Sequence, residues 1–277
     1  MLTLDQVTRT IQQVPSLSVV VMETLASFDM PHFETADLAK KLNQDQGLTA
    51  RVLRVANSPF YGMSSKVGSV QEAVVVLGFH NVRSLVAAAG IISQFPETGL
   101  PGFDRTGFWQ HGIGTAACAQ VLAKSLGQNQ ALAFTAGLLH DIGKLALDAY
   151  FHDDFQLALA HSADEDITLL NAESITLGVD HTQVGHELAR RWKFPAVIQL
   201  AIRDHHQPER ESGTLTDLVH VANVLCHALD IGNAGYDLIP HLSSSAWSRL
   251  GLDWKTMPAL WTETEQQYVG LSLLISD

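Results

Sequence analysis

Apolar residues recur at helical spacing along almost the whole chain, and no stretch alternates in the two-residue rhythm of a strand bounded by hairpin turns. A chain patterned this way buries its stripes only by packing helix on helix, which makes the expected fold all-α. Leu17, Val20, Val21, Thr24, Leu25 and Phe28 fall on one helix face. Thr35 can cap a helix carrying Leu38, Ala39 and Leu42, with Asp37 in its first turn, and Asp45 can cap the next, through Leu48, Val52 and Val55. Asn57-Ser58-Pro59 ends that helix. Ser69-Val70-Gln71-Glu72 reads as a capping box, Gly78 as the stop of the helix it opens, and Asn81 as the start of another.

Pro96, Gly99, Pro101 and Gly102 form the clearest loop, and the subdomain boundary is expected there. Beyond it, helical patterns cover 108–126, 131–149, 154–161, 167–177, 181–192, 195–205 and 215–229. The chain thus divides into a helical N-terminal subdomain (1–100) packed on a helical bundle (101–235), with a C-terminal extension (236–277). That tail is amphipathic around Trp247, Leu250, Leu260 and Trp261, which suits a packing helix better than a partner-binding one.

Composition narrows the function. Seventeen Lys and Arg against 29 Asp and Glu give a formal net charge of -12, leaving little material for the basic face that nucleic acid needs. No run approaches the ~18 apolar residues of a membrane span, and Met1 to Thr10 lack the basic and apolar regions of a signal peptide. Cys118 and Cys226 lie in apolar helical stretches and read as reduced core residues. The expected location is the cytoplasm, with no membrane or nucleic-acid partner.

The thirteen histidines carry the chemistry. His140-Asp141 follows the apolar run Ala136-Gly137-Leu138-Leu139, and a His–Asp pair at a buried helix end can ligate one ion, with the carboxylate able to bridge two. Alone the dipeptide is a weak signal. His111 on a helical pattern, His181 at a helix start and His205-His206 at a helix end strengthen it. The alternative for each is a hydrogen-bonded core or surface histidine. His186 sits five residues after His181, off its helix face, and His220 and His227 flank Asn223 as candidate supporting partners. No nucleophile–base arrangement and no glycine-rich phosphate loop is present.

The ordered motifs resemble the HDOD family. Its N-terminal marks are Val14-Pro15, Asp45 before Leu48-Thr49-Ala50-Arg51-Val52-Leu53-Arg54, Ala56-Asn57-Ser58, Gly68-Ser69-Val70-Gln71-Glu72-Ala73 and Leu77-Gly78. Leu138 to Lys144, Asp180 to Gly185, Trp192-Lys193-Phe194-Pro195 and His205-His206-Gln207-Pro208 continue the series, so the resemblance covers roughly residues 10 to 230.

HDOD proteins are similar to the HD and HD-GYP metal-dependent phosphohydrolases but mostly serve as signalling modules. The resemblance implies that His111, His140, Asp141, His181, His205 and His206 match metal ligands and that Lys144 matches a lysine meeting a substrate phosphate. Asp141 and Lys144 are then the candidate catalytic pair. Asn223 stands at the last ligand position, where a carboxylate is expected, Gly107 replaces an extra carboxylate, and no Gly-Tyr-Pro loop follows His206. The expectation is a regulatory protein holding a divalent transition metal (iron, manganese or zinc), with one ion position complete and little or no hydrolysis. The alternatives are a phosphohydrolase and a metal-free polar network. A signalling protein or a small phosphate-containing ligand is the expected partner.

Overall fold

The computed structural model describes residues 1–26, 39–40, 42–43, 45–59, 66–95, 102–210, 213–232 and 238–275. Among these the chain is helical without strands. The expected Thr35 cap, Leu38, Phe28 and most of the 96–102 loop lie outside the described residues.

The first half comprises α1 (Leu4–Ile11), α2 (Val19–Ala26), α3 (Gln46–Ala56), α4 (Val70–Leu77) and α5 (Phe79–Ile92). Asp45 caps α3 as expected, accepting from the Leu48 amide at 3.0 Å. The capping box at Ser69 is half formed: Ser69 accepts from the Glu72 amide, but Glu72 turns to the Gly68 amide instead of returning to Ser69. Asn81 does not open a helix. Gly78, at φ +83°, both ends α4 and precedes α5 directly, which places Asn81 in the first turn of α5. There its amide donates to Leu77 O and accepts from Gln120 Nε2, both at 2.8 Å, tying the two halves together. Asn57 does more than stop α3, since its side chain pairs with both the amide and the carbonyl of Val67.

The second half runs through α6 (Arg105–Ser125), α7 (Gln130–Leu139), α8 (Ile142–Tyr150), α9 (His152–Glu165), α10 (Leu169–Thr176), α11 (His181–Arg191), α12 (Ala196–Asp204) and α13 (Thr214–Ala228). It ends in α14 (Ser244–Leu250), α15 (Met257–Leu271) and a 3₁₀ turn, Ser272–Leu274. The single helical pattern read over 131–149 is two helices, broken where Asp141 leaves helical geometry (φ -99°, ψ 10°). The apolar rhythm persists across the break because both helices bury nearly every residue.

The main core extends from Val7 to Leu274 and draws on both halves of the chain. The N-terminal segment reaches furthest. Leu2 N–H donates to Leu177 O, Arg191 Nη2 to Val14 O, and Trp192 Nε1 to Pro15 O, so α1 lies along α11. A second apolar cluster gathers the free, buried Cys118 and Cys226 with Leu122, Leu218 and Leu225. Leu250 and Met257 are buried in it, while Trp247, Leu260 and Trp261 pack against it, so the tail is a packing element. Arg105 and Asp148 form a buried ion pair between α6 and α8, with Nε 2.7 Å from Oδ2. No single helix among the described residues is long and apolar enough to cross a membrane.

Candidate metal centre

Close helix packing assembles the site. A Cβ on Gly137 would lie 2.9 Å from Ala116 Cα, so α6 and α7 approach nearly backbone to backbone. That brings the His111 and His140 rings to 5.3 Å between centroids. On the other side, a Cβ on Gly143 would sit 1.9 Å from His181 O and 2.7 Å from Gly185 N, so only glycine lets α8 rest on the start of α11. Asp180 caps α11 through a reciprocal box with Gln183 and is committed to that task.

Three histidines are held in the same way. His140 Nδ1 donates to Gly137 O at 2.7 Å, and His205 Nδ1 to Ile202 O at 2.9 Å, each reaching the carbonyl three residues back at a helix C-terminus. His181 Nδ1 donates to Glu173 Oε2 at 2.6 Å. Fixing the proton on Nδ1 leaves Nε2 as the ligating nitrogen, the usual device that orients metal-binding imidazoles. All three Nε2 atoms face Asp141: His140 at 3.3 Å from Oδ2, and His181 and His205 at 3.2 and 3.4 Å from Oδ1. His206 Nε2 lies 3.2 Å from His181 Nε2. Lys144 Nζ is 2.8 Å from Asp141 Oδ2.

Two ligand-grade groups result, Asp141 with His181, His205 and His206, and Asp141 with His111 and His140. Within each, the donor atoms lie within 4.8 Å of one another. His140 Nε2, His205 Nε2 and Asp141 Oδ1 are buried and make no hydrogen bond. Buried polar atoms are nearly always paired, and leaving one unmade costs about 1–3 kcal/mol, so three converging orphans fit a cation at their focus.

The electrostatics follow from burial. Burial pushes His205 down to about 4, and it holds His111 and His206 well below the ordinary imidazole range, aided by neighbouring histidines. Burial alone would raise the Asp141 carboxyl, but His140, Lys144 and His181 outweigh it and hold the group well below the usual carboxylate range. Burial also opposes charge on His181, yet Glu173 and Asp141 push its pKa up to about 10.

The six candidate ligands and Lys144 all lie in this cluster, and Asn223 lies beside it. Asn223 Oδ1 accepts from His111 Nε2 at 2.9 Å, closing that corner on itself. Gly107 sits in the first turn of α6, where its amide donates to Asp104. The His227 ring lies tilted against that of His111, 4.4 Å between centroids, and His220 Nδ1 donates to His205 O, so both flanking histidines touch the centre. His186 bonds instead to Gln199 O. Sequence reasoning missed Glu173, which is fully buried and grips both Nδ1 and the backbone amide of His181. Its one signal is a carboxylate amid Leu169 to Leu177, too common a pattern to single out. Glu173→Gln keeps the shape and removes the charge, and should weaken metal binding about 10–100-fold in calorimetric titration. Unchanged affinity would show that Glu173 does not support His181 as a ligand.

The family model of the HDOD domain matches residues 14–208. An uncharacterized protein of Treponema pallidum is 27% identical over 236 residues, which is 83% of this chain and 45% of that protein. Ribonuclease Y 1 of Pediococcus pentosaceus is 29% identical over 233 residues, 79% of this chain and 38% of the enzyme. The chain therefore spans less than half the length of these curated relatives. Among solved structures, an HDOD domain protein of unknown function from Geobacter sulfurreducens superposes with a TM-score of 0.85 at 24% identity, covering 99% of this chain and 100% of the other. A Shewanella amazonensis protein provisionally described as a phosphohydrolase gives 0.79 at 24% identity, with 98% of both chains covered. At these identities the likeness is one of fold.

Proposed function

The chain belongs to the HDOD domain family, and from that premise we propose that it is a signal-transduction module built around a bound transition metal. The observation that carries this reading is the convergence of His140 Nε2, His205 Nε2 and Asp141 Oδ1, none of them hydrogen-bonded, in a buried cluster. Iron, manganese and zinc suit a site that is mostly imidazole with one carboxylate, whereas magnesium and calcium prefer oxygen. Asp141, His181, His205 and His206 hold the ion, and Glu173 and Ile202 O orient two of those rings. Bound there, a divalent ion supplies Lewis acidity. Lys144 neutralises Asp141 and is itself buried, so regulation is favoured over turnover. The N-terminal part, to about residue 100, is assigned to docking a signalling partner, residues 101–235 to the centre and 236–277 to an extension.

Metal analysis by mass spectrometry, on protein purified without chelator or affinity tag, tests the reading. Close to one equivalent of iron, manganese or zinc is expected. Less than roughly a tenth of an equivalent after incubation with each ion would end it.

A second reading, metal-dependent hydrolysis of a phosphate ester or nucleotide, draws on Lys144 beside Asp141 and on the similarity to Ribonuclease Y. Turnover of a cyclic dinucleotide or RNA at roughly 1 per second, lost on His140→Ala, would put it first.

Proton release offers an independent check. At neutral pH the metal-free His181 ring carries a proton on both nitrogens, because its pKa is raised to about 10. His205, lowered to about 4, is already neutral. A metal taking His181 Nε2 must displace one proton, so affinity should rise with pH, by up to about tenfold per unit, until His181 deprotonates near 10. Titration at pH 7 in buffers of different ionisation enthalpy should count about one proton per ion. A count of zero would mean that His181 is not a ligand.

The corner holding His111 and Asn223 is expected to be the weaker ion position. Asn223 is neutral, and its oxygen already accepts from His111. Asn223→Asp adds an anionic donor beside His111 and His140, and should strengthen binding of a second ion about 10–100-fold. Two equally tight ions in the unmodified chain would contradict this division.

A further inference from the structure

His205 faces the centre with its ring, but its backbone is held from behind. His220, buried on α13, donates from Nδ1 to His205 O at 2.7 Å and accepts at Nε2 from the Ser243 amide at 2.9 Å. Both ring nitrogens are committed, so one imidazole spans the gap between a residue of the centre and the start of α14. Ser243 is the N-cap of that helix, accepting from the Ala246 amide at 3.1 Å. A second tether runs parallel: Ser243 and Ser245 hydroxyls both donate to Glu209, four residues beyond His205. The far side of α14 is anchored by Arg249, whose guanidinium makes two bonds of 2.7 and 2.8 Å to Asp217 on α13. Beside the His220 and Glu209 tethers lies a cavity of about 270 Å³ lined by His206, Glu209, His220, His241 and Ser243.

We propose that the His205–His220–Ser243 relay couples occupancy of the metal centre to the seating of α14, making the C-terminal extension the readout of the bound state. The coupling rests on the metal-holding reading above. An ion drawing on His205 Nε2 fixes the ring and the main chain behind it. His220 cannot follow a shift of His205 O without moving relative to the Ser243 amide, because an imidazole is rigid and both its bonds are near optimal length. A centre that is fixed therefore holds the cap of α14, and an empty one releases it. Linkage makes the effect mutual: loosening the cap must weaken metal binding by the factor with which metal tightens the cap.

His220 is too deeply buried for its removal to report on coupling alone, so the test uses Ser243. Its φ of -69° already suits proline, which deletes the amide proton given to His220. Ser243→Ala keeps that proton and loses only the hydroxyl bonds. Zn²⁺ is added to the metal-free 277-residue chain while amide exchange over 243–250 is followed by mass spectrometry, and affinity is measured by calorimetry. Exchange should slow at least about threefold on Zn²⁺ addition in the unmodified protein and in Ser243→Ala, and barely in Ser243→Pro. Ser243→Pro should also bind Zn²⁺ at least about fivefold more weakly than Ser243→Ala, although Ser243 touches no side chain of the centre. Zn²⁺ binding with unchanged exchange in the unmodified protein, or an equal response in Ser243→Pro, overturns the coupling and leaves the metal centre standing. Absence of any binding heat with Zn²⁺, Mn²⁺ or Fe²⁺ overturns both.

Discussion

Asp141→Ala is expected to leave the purified protein without metal, below roughly a tenth of an equivalent by mass spectrometry. Asp141 is the carboxylate common to both ligand groups, and His140, His181 and His205 all aim Nε2 at it. Its loss removes the anionic charge that offsets a divalent ion in a buried, low-dielectric site. The same substitution removes the carboxylate oxygen on which Lys144, 7% exposed, rests. Removing one partner of a buried ion pair costs up to about 3–5 kcal/mol, so the variant should also unfold more easily. Asp141→Asn separates the two effects. It preserves volume and one acceptor, should stay folded by circular dichroism, and should bind metal at least about 100-fold more weakly. Full metal content in a folded Asp141→Asn protein would remove Asp141 from the ligand set.

The second large effect is expected from one added methyl group. Gly143→Ala places Cβ against His181 O and Gly185 N, both backbone atoms that no rotamer change can move aside. Helix α8 has to lift from α11, and Asp141 and His181 sit at the facing ends of those helices. Overpacking against backbone should cost about 3 kcal/mol, the upper end of the usual range. At about 2–4 °C per kcal/mol for a chain of this size, thermal unfolding should begin roughly 6–12 °C earlier, with metal content reduced in parallel. Gly47→Ala, at an exposed position of α3, is the control: its Cβ meets only ordinary contact with Asp45, and alanine should be neutral or stabilising by about 0.5–1 kcal/mol. Equal melting of Gly143→Ala and the unmodified protein would show that the close approach of α8 to α11 is not rigid.

The helices, their order and the polar residues that meet at the centre are legible in the sequence for a simple reason. Burial on one face imposes a period, and a cluster of imidazoles beside a carboxylate is rare enough to stand out. What could not be read depends on angles between helices. Glu173 is fully buried while Ile175, two residues on, is 54% exposed, an inversion of the usual polarity that hydrophobic spacing cannot anticipate. Glu173 is inside because α10 brings it to His181, and nothing local encodes that approach. The break at Asp141 was hidden for the opposite cause: both sides of it are buried, so the apolar rhythm runs through. His220 and His227 could be suspected as neighbours of Asn223, but only the packing of α13 gives one to His205 and the other to His111.

The lay of α1 along α11 has a consequence for how the chain is made. Val14 and Arg191 are bonded across 177 residues, and Trp192 likewise reaches back to Pro15. On the ribosome α1 emerges before α11, and the helix that covers it does not exist until about 180 further residues have been synthesised. At about 5–20 residues per second, the apolar face of α1 stays uncovered for roughly ten to thirty seconds. The contacts of α1 with α11 thus become available late, and the nascent chain offers chaperones an exposed amphipathic helix throughout that interval.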